Sequence, residues 1–370
     1  MDDTLLKYKI GISQIPGVGS ILAKKLIAYT GSIEAVFKEK KKALIKIPGI
    51  GETLADLIVK HQTLENAEKE IDFISRYDIN HYFYLDENYP IRLKQCPDAP
   101  IILFSKGNLN FNQDKIISIV GTRNATDYGK ECCQKLVADI ALRHQNIIIV
   151  SGLAYGIDIC AHRAALKNNI PTVAVLAHGL AMIYPSAHRN TAKEITKDGA
   201  LVTDFTSDFK PERNSFVKRN RIIAGMADAT IVVESGPEGG ALITADLANS
   251  YNRDVFAFPG RFNDEWSKGC NKLIKTNRAA MIETVEDLEY LMGWDFEKQQ
   301  QSPKQLSLFL NLTDEEQQLV NILKEENNLM IDIICLRADM PVSKVSPLLL
   351  KLEFSGLIKS LPGKVYRLLS

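Results

Sequence analysis

Short apolar runs alternate with helical patterns through the middle of the chain. Runs of strand length occupy residues 116–120, 147–150, 172–177, 200–203, 230–233 and 255–258. Between them, apolar residues recur every three or four positions, as in helices with one buried face, over residues 128–142, 157–166, 216–225 and 240–251. Nearly continuous apolar strands that alternate with helices are typical of a parallel sheet covered on both faces. The pattern therefore predicts a doubly wound α/β domain, with its ligand site outside the carboxyl ends of the strands.

The first part of the chain contains an internal repeat. Ile15-Pro16-Gly17-Val18-Gly19 and Ile47-Pro48-Gly49-Ile50-Gly51 each precede a helical pattern. The two copies resemble a tandem helix-hairpin-helix module, whose glycine turns offer backbone N–H groups to nucleic-acid phosphates. This makes four glycines secondary candidates for DNA contact: Gly17, Gly19, Gly49 and Gly51. Alternatively, the repeat builds a helical bundle that serves only for packing.

The last part of the chain has the pattern of a small separate domain. Residues 293–310 are polar and rich in glutamine, which is typical of a linker. A capped helix beginning near Thr313, two further helical patterns and two short strands joined through Pro362-Gly363 predict a winged helix over residues 311–370. The predicted recognition helix carries Lys344 and Lys351 as its cations, which favours a protein-contact or auxiliary role over duplex binding.

Composition narrows the class of protein. A chain of 370 residues is long enough for two or three domains. Lys+Arg and Asp+Glu number 45 each, so any basic surface has to be local. The six cysteines form no CxxC pair, which indicates reduced thiols of the cytoplasm. The chain opens without a signal-peptide pattern and has no apolar run of membrane-spanning length, so we expect a soluble cytoplasmic protein without membrane contact.

Small turns follow several of the predicted strands: Gly121, Ser151-Gly152, Gly179 and Gly239-Gly240. The strand-to-helix turn at residues 151–156 aims backbone N–H groups at one spot, which suits a phosphate. The glycines of this turn are equally explained by close packing of strand and helix. Neither G-x-G-x-x-G nor G-x-x-x-x-G-K-[ST] stands at a strand end, so the sequence favours neither dinucleotide binding nor hydrolysis of ATP in a P-loop.

Cations lie beside these turns. Arg123 directly follows the first apolar run, and four more surround Phe216 in one helical segment: Arg213, Lys218, Arg219 and Arg221. An aromatic ring among guanidinium groups is the composition expected where bases stack and phosphates are neutralised. We expect one pocket lined by Arg123, Phe216, Lys218, Arg219 and Arg221, with Arg213 a weaker member. The alternative is a helix with solvated cations and Phe216 in the core.

These residues stand in ordered motifs that resemble the DNA-processing protein A family (DprA, also called Smf). The motifs are Gly121-Thr122-Arg123, residues 151–158 with Ala161-His162, Gly179 with Tyr184-Pro185, residues 216–225, residues 239–245, Phe258-Pro259-Gly260 and residues 269–274. The resemblance covers about residues 80–285. It implies a Rossmann-like DNA-binding domain at 80–292, between the helical module at 1–70 and the winged helix after the linker.

The resemblance also implies a function. Such a protein binds single-stranded DNA, protects incoming DNA, forms a homodimer and loads RecA in natural transformation or recombination. It needs no catalytic residue, cofactor or metal. The residues that the resemblance and the turns together nominate for DNA binding are Gly121, Thr122, Arg123, Ser151, Gly152, Gly179, Arg213, Phe216, Lys218, Arg219, Asn220, Arg221, Gly239 and Gly240.

Two short segments depart from the family pattern, and two other functions stay open. Thr203-Asp204-Phe205 stands where the family commonly has Ser-Glu, and Asn277-Arg278-Ala279 where it has Gly-Ala. The Gly239-Gly240 turn also resembles that of phosphoribohydrolases, which are nucleotide-processing enzymes. Asp246, however, does not occupy the place of their catalytic glutamate. The other alternative is a duplex-DNA scaffold that relies on the hairpins and the winged helix.

Overall fold

The computed structural model of the protein describes residues 3–294, 312–326, 328–361 and 364–369. The chain divides into two units, Met1–Lys298 and Gln299–Ser370. Most of the predicted linker, from residue 295 to residue 310, lies outside the described residues.

Six helices form the N-terminal module: α1 (Asp3–Ser13), α2 (Ser20–Thr30), α3 (Ile33–Lys38), α4 (Lys41–Leu44), α5 (Glu52–Val59) and α6 (Thr63–Tyr77). The two hairpin turns lead into α2 and α5. Gly17 and Gly49 have φ of 80° and 93°, a conformation that favours glycine. Gly19 and Gly51 are the N-caps of α2 and α5, and both have extended backbone. The predicted repeat is therefore a pair of helical hairpins with matching geometry.

A nine-stranded sheet follows, with strands β1 (Asn80–Phe83), β2 (Ile102–Lys106), β3 (Lys115–Val120), β4 (Ile147–Ser151), β5 (Thr172–Val175), β6 (Ala200–Thr203), β7 (Ala229–Val232), β8 (Asp254–Ala257) and β9 (Ala280–Met281). Their order is β1-β2-β6-β5-β4-β3-β7-β8-β9. Strands β3 to β9 pair in parallel, as predicted. Strands β1 and β2 extend the sheet in antiparallel orientation, which the apolar pattern did not indicate.

Helices cover both faces of the sheet: α7 (Ile91–Lys94), α8 (Asp127–Arg143), α9 (Ile157–Lys167), α10 (Arg189–Asp198), α11 (Arg213–Met226), α12 (Gly240–Ser250), α13 (Lys268–Lys275) and α14 (Val285–Met292). Successive side chains of a strand point to opposite faces. Ile148 and Val150 of β4 therefore share a core with α11 and α12, whereas Ile147 and Ile149 share one with α8, α9 and α14.

The chain reverses its direction across the sheet at β3. From β3 it proceeds to β4 on one side, and β7 later pairs with β3 on the other side. Loops that leave β3 and β7 in opposite directions open a crevice at the carboxyl ends of these strands, where open α/β sheets bind ligands. Gly121 to Arg123 follow β3, and Gly239 precedes α12 after β7.

The C-terminal unit has three helices, α15 (Asp314–Glu325), α16 (Ile331–Ala338) and α17 (Val342–Phe354), and three strands, β10 (Leu329–Met330), β11 (Ile358–Leu361) and β12 (Val365–Leu368). The predicted cap is present, because the Thr313 side chain accepts a hydrogen bond from the Glu316 backbone N–H. Strands β11 and β12 pair antiparallel as the wing. The turn at Pro362-Gly363 lies outside the described residues. The predicted winged helix is confirmed.

Candidate nucleic-acid interface

A cavity of about 520 Å³ opens at the crevice between β3 and β7. The turn after β3, one face of α11 and the first turn of α12 form its walls. It brings together the following predicted residues: Gly121, Thr122, Arg123, Arg213, Phe216, Arg219, Asn220, Gly239 and Gly240. We call this space the crevice cavity. Its volume is in the range that holds a small ligand or one unit of a polymer.

An arginine and two aromatic rings meet at the mouth of the crevice cavity. Arg123 is exposed, and its guanidinium carbon lies 5.1 Å from the centroid of the half-buried Phe216 ring. The exposed Tyr184 ring lies edge-on to Phe216, with centroids 6.1 Å apart. A nucleobase can stack on any of these flat groups, and the guanidinium also carries the charge that a phosphate needs.

The floor of the crevice cavity holds a buried arginine beside a buried aspartate, an arrangement that the sequence did not predict. Arg219 is 5% exposed and Asp158 is 7% exposed. Burial raises the pKa of Asp158, and the neighbouring Arg219 acts in the opposite direction. Arg219 also donates to the Val175 carbonyl, but its buried Nε has no hydrogen-bond partner among the described atoms. Arg219 is therefore a cation held in place beneath the cavity, with an unpartnered buried donor.

The start of α12 forms another wall. Gly239 is its N-cap and supplies no side chain to the free N–H groups of the first turn. These N–H groups and the helix dipole favour a negatively charged group at this end. The opposite wall is closely packed: a Cβ atom at Gly121 would lie 2.4 Å from Ile157 Cγ1. Gly121 therefore lets the turn that carries Arg123 lie against α9.

Helix α11 separates the predicted cations into two groups. The cation Arg213 lines the crevice cavity, together with the uncharged Phe216 and Asn220. Lys218 and Arg221 line a second cavity on the other side of the helix. The prediction of one common pocket is wrong for these two residues. With 3.6 residues per turn, Lys218 and Arg221 point away from Phe216. A DNA-binding role for them stays a prediction.

Three predicted residues lie beneath the surface and do not line the crevice cavity. Ser151 is fully buried, and its hydroxyl donates to the Ile119 carbonyl at 2.6 Å. A Cβ atom at Gly152 would lie 2.3 Å from Arg219 Nη1, so this glycine serves close packing. The Gly179 N–H donates to the Phe209 carbonyl at 2.9 Å. The structure gives these three residues supporting contacts, and a DNA-binding role for them stays a prediction.

Of the four hairpin glycines, Gly19 lines the second cavity. The positive φ of Gly17 and of Gly49 accounts for glycine at these positions without any ligand. DNA contact by the hairpins stays a prediction.

Tyr184 lies beside the crevice cavity and was not predicted to do so. The residues lining the cavity that sequence reasoning missed are Val120, Ala154, Asp158, Val217, Ile223, Ala241, Ile243 and Thr244. Asp158 and Tyr184 belong to family motifs, but no spacing signal placed them near Phe216. Among the described residues, no group of three His, Cys, Asp or Glu side chains could hold a metal. No helix in the described ranges has the length and apolarity to cross a membrane.

Family sequence profiles match all three parts of the chain. The profile of DNA recombination-mediator protein A matches residues 80–292. The profile of the DprA winged helix domain matches residues 300–364, and that of a SAM-like helix-hairpin-helix tandem matches residues 11–61. Protein Smf of Synechocystis sp. is 32% identical, with 97% of this chain and 98% of that protein covered. DNA processing protein DprA of Bacillus subtilis is 38% identical, with 55% and 67% covered.

Solved structures of DNA processing protein A also superpose on this chain. DNA processing protein A from Streptococcus pneumoniae superposes with a TM-score of 0.67 at 30% identity, covering 79% of this chain and 98% of that one. The protein from Helicobacter pylori, described for its single-stranded DNA binding mode, superposes with a TM-score of 0.54 at 28% identity, covering 60% and 99%. With a family profile matched across the central domain and a relative aligned over nearly its whole length, this chain belongs to the DprA/Smf family.

Proposed function

We propose that this protein binds single-stranded DNA in the crevice cavity. The observation that carries the proposal is the Arg123 guanidinium over the Phe216 ring, next to the uncapped start of α12. Flat groups stack with bases of any sequence, and the cation with the free N–H groups receives the phosphates. The single-strand binding described for the Helicobacter pylori relative supports the same activity in this chain.

A single strand is preferred to a duplex for two reasons. The bases of a duplex are stacked inside and cannot reach Phe216. In the winged helix, the two cations of α17 are already paired, Lys344 with Glu315 at 2.5 Å and Lys351 with Glu316 at 2.6 Å. These pairs leave α17 with little charge for a duplex backbone. The duplex-scaffold alternative would require an affinity for duplex at least equal to that for a single strand.

Titration of fluorescent oligo-dT at two salt concentrations tests the proposal. Phe216→Ala removes a stacking surface and should cost about 1–3 kcal/mol of binding free energy. Phe262→Ala is the matched control, because Phe262 is 89% exposed and lines neither cavity. Thermal melting has to show that both variants are folded. Equal affinity of the two folded variants for oligo-dT would contradict the role of the crevice cavity.

We also propose that the protein is not an enzyme. Asp158 is the carboxylate among the described residues that line the crevice cavity, and Arg219 lies beside it on the floor. Asp246, the nearest candidate for a phosphoribohydrolase carboxylate, pairs with Arg278 instead. Incubation with nucleoside monophosphates or ATP should release no base or phosphate above a blank. Steady release that Asp246→Asn abolishes would establish the enzyme alternative.

Membership of the DprA/Smf family suggests the cellular process in which the binding of single-stranded DNA takes part. We propose that the protein acts in the cytoplasm as a homodimer, protects incoming single strands and loads RecA in natural transformation or recombination. The free thiols of its six cysteines suit that compartment. Light scattering should give about twice the chain mass of 41.3 kDa. Adding the protein to strands coated with single-strand-binding protein should speed the onset of ATP hydrolysis by RecA, and an unchanged onset would contradict the loading role.

A further inference from the structure

The second cavity lies between the N-terminal module and the sheet, on the opposite side of α11 from the crevice cavity. Its volume is about 510 Å³, many times the roughly 30 Å³ of one water. Residues before and within the first turn of α2, the ends of β2 and β6, and α11 contribute to its lining. The N-terminal module and the sheet belong to the same unit of the chain, Met1–Lys298. We call this space the hairpin cavity.

Its chemistry combines apolar walls with one unsatisfied acceptor. Val18, Leu22 and Phe205 present apolar surface, and Phe205 is held by stacking on Phe209 with centroids 4.3 Å apart. The Asp204 side chain is 12% exposed, and its Oδ2 accepts from Arg221. Its buried Oδ1 has no hydrogen-bond partner among the described atoms. A buried acceptor without a donor is costly, so a donor on a ligand would be favoured here.

The rim of the hairpin cavity carries the cations Lys218 and Arg221, and the carboxylates of Asp98 and Asp204 also belong to its lining. Lys218 is exposed and Arg221 is half-buried, and Lys24 lies near enough for its charge to act on Arg221. The N-cap of α2 is Gly19, which supplies no side chain to the first-turn N–H groups. Arg221 is held in place, because it donates to the Asp98 carbonyl as well as to Asp204. An anion at the rim would therefore meet two cations and a helix N-terminus.

A cavity with apolar side chains, one unpartnered acceptor buried at its wall and cations at its rim matches a single nucleotide. We propose that the hairpin cavity, building on the proposed single-strand binding, takes an unstacked base of the same DNA strand. The base carries an exocyclic amino group, as cytosine does, and this group donates to Asp204 Oδ1. The phosphate of that nucleotide lies at the rim, near Lys218 and the start of α2. Helix α11, about 10 Å wide, separates this nucleotide from those in the crevice cavity.

Homopolymers that differ in one group test the base preference. Oligo-dC and oligo-dU of about 20 nucleotides are titrated at slightly basic pH, where cytosine is neutral. They differ at ring position 4, which bears an amino donor in cytosine and a carbonyl acceptor in uracil. We expect oligo-dC to bind at least about fivefold tighter than oligo-dU. Asp204→Asn should remove this difference, because an amide offers either an oxygen or an NH₂ group to the base.

A second pair of variants does not depend on the Asp204–Arg221 ion pair. Gly19→Asp and Gln62→Asp place the same charge at the N-caps of α2 and α6. A Cβ atom at Gly19 meets nothing within 4 Å and its φ is −79°, whereas Gln62 is exposed and lines neither cavity. Because aspartate is a favourable N-cap, both variants should fold. Gly19→Asp should weaken binding of oligo-dC about fivefold by repelling the phosphate, whereas Gln62→Asp should change it less than twofold.

The outcomes separate this inference from the proposed function. Equal affinities of the wild type for oligo-dC and oligo-dU would overturn the inference, as would a preference that persists in folded Asp204→Asn. Equal affinities of Gly19→Asp and Gln62→Asp for oligo-dC would show that no phosphate lies at the rim. In each of these cases, oligo-dU binding that still weakens in Phe216→Ala leaves the proposed function standing. A wild type that binds neither oligonucleotide would overturn both.

Discussion

Arg123 and Arg219 line the same cavity, yet their surroundings give them different roles. Arg123 is exposed on a turn and lies over Phe216. Arg219 is buried on α11, and burial lowers its pKa while Asp158 acts in the opposite direction. Moving Arg219 toward a phosphate would leave the buried Asp158 without the cation that acts on its charge, which is unfavourable. We therefore expect the Arg123 side chain to move when a DNA strand binds, whereas Arg219 stays in place and supports the floor of the cavity.

This difference predicts a change in salt dependence for Arg123→Gln. Each phosphate contact contributes about 0.7 to the slope of log affinity against log salt for single strands. Arg123→Gln should therefore lower the slope measured with oligo-dT by about 0.7. Arg163→Gln is the control, because Arg163 is exposed on α9 and does not line the cavity. An unchanged slope in Arg123→Gln would show that Arg123 contacts no phosphate.

At the residue scale, sequence reasoning succeeded where neighbours in the chain decide the position. Arg123 follows β3 directly, so its location at the sheet edge was predictable. Lys218 and Arg221 were misplaced because they were grouped by composition, although helical periodicity already turns them away from Phe216. Asp158 and Arg219 belong to two helices that are far apart in sequence, and no local pattern encodes their proximity.

Among the elements, those with strong periodicity were predicted closely. The predicted helices at 128–142 and 216–225 correspond to α8 (Asp127–Arg143) and α11 (Arg213–Met226). Parallel strands buried on both faces also have a clear apolar pattern. The antiparallel orientation of β1 and β2 was not predictable from that pattern. Phe83 of β1 and Phe104 of β2 are buried in the core of the N-terminal module, which a strand pattern alone does not encode.

The turn before α9 gives a prediction at the element scale. Gly156 has a φ of 78°, and a Cβ atom there would lie 2.1 Å from the Thr122 carbonyl oxygen. Gly156→Ala should push the turn that carries Arg123 away from α9. It should also strain the backbone, with a cost of about 1–3 kcal/mol in the free energy of unfolding. Urea unfolding and oligo-dT titration measure the two effects.

Gly240→Ala is the control for that measurement. A Cβ atom at Gly240 meets nothing within 4 Å, and alanine suits the first turn of α12. Its free energy of unfolding should equal or exceed that of the wild type. If Gly156→Ala is as stable as Gly240→Ala and binds oligo-dT like the wild type, the packing of this turn does not position Arg123.

For the whole molecule, the three regions predicted from the sequence are organised as two units. The N-terminal module shares a core with β1 and β2, so it belongs with the sheet in Met1–Lys298. The winged helix has a core of its own, formed by α15, α16 and α17 with the wing. Separate cores predict that either unit can be removed without unfolding the other. The predicted boundaries at residues 70 and 80 stay predictions.

Truncation after Lys298 tests whether the winged helix contributes to the binding of single-stranded DNA. The residues nominated for DNA binding all lie in the first unit, and the α17 cations of the second unit are paired within it. The truncated protein should melt cooperatively and bind oligo-dT within about threefold of the full chain. A loss of more than tenfold, about 1.4 kcal/mol, in a protein that still melts cooperatively would place part of the DNA site in the winged helix. That result would contradict a single-strand site confined to the sheet and its hairpin module.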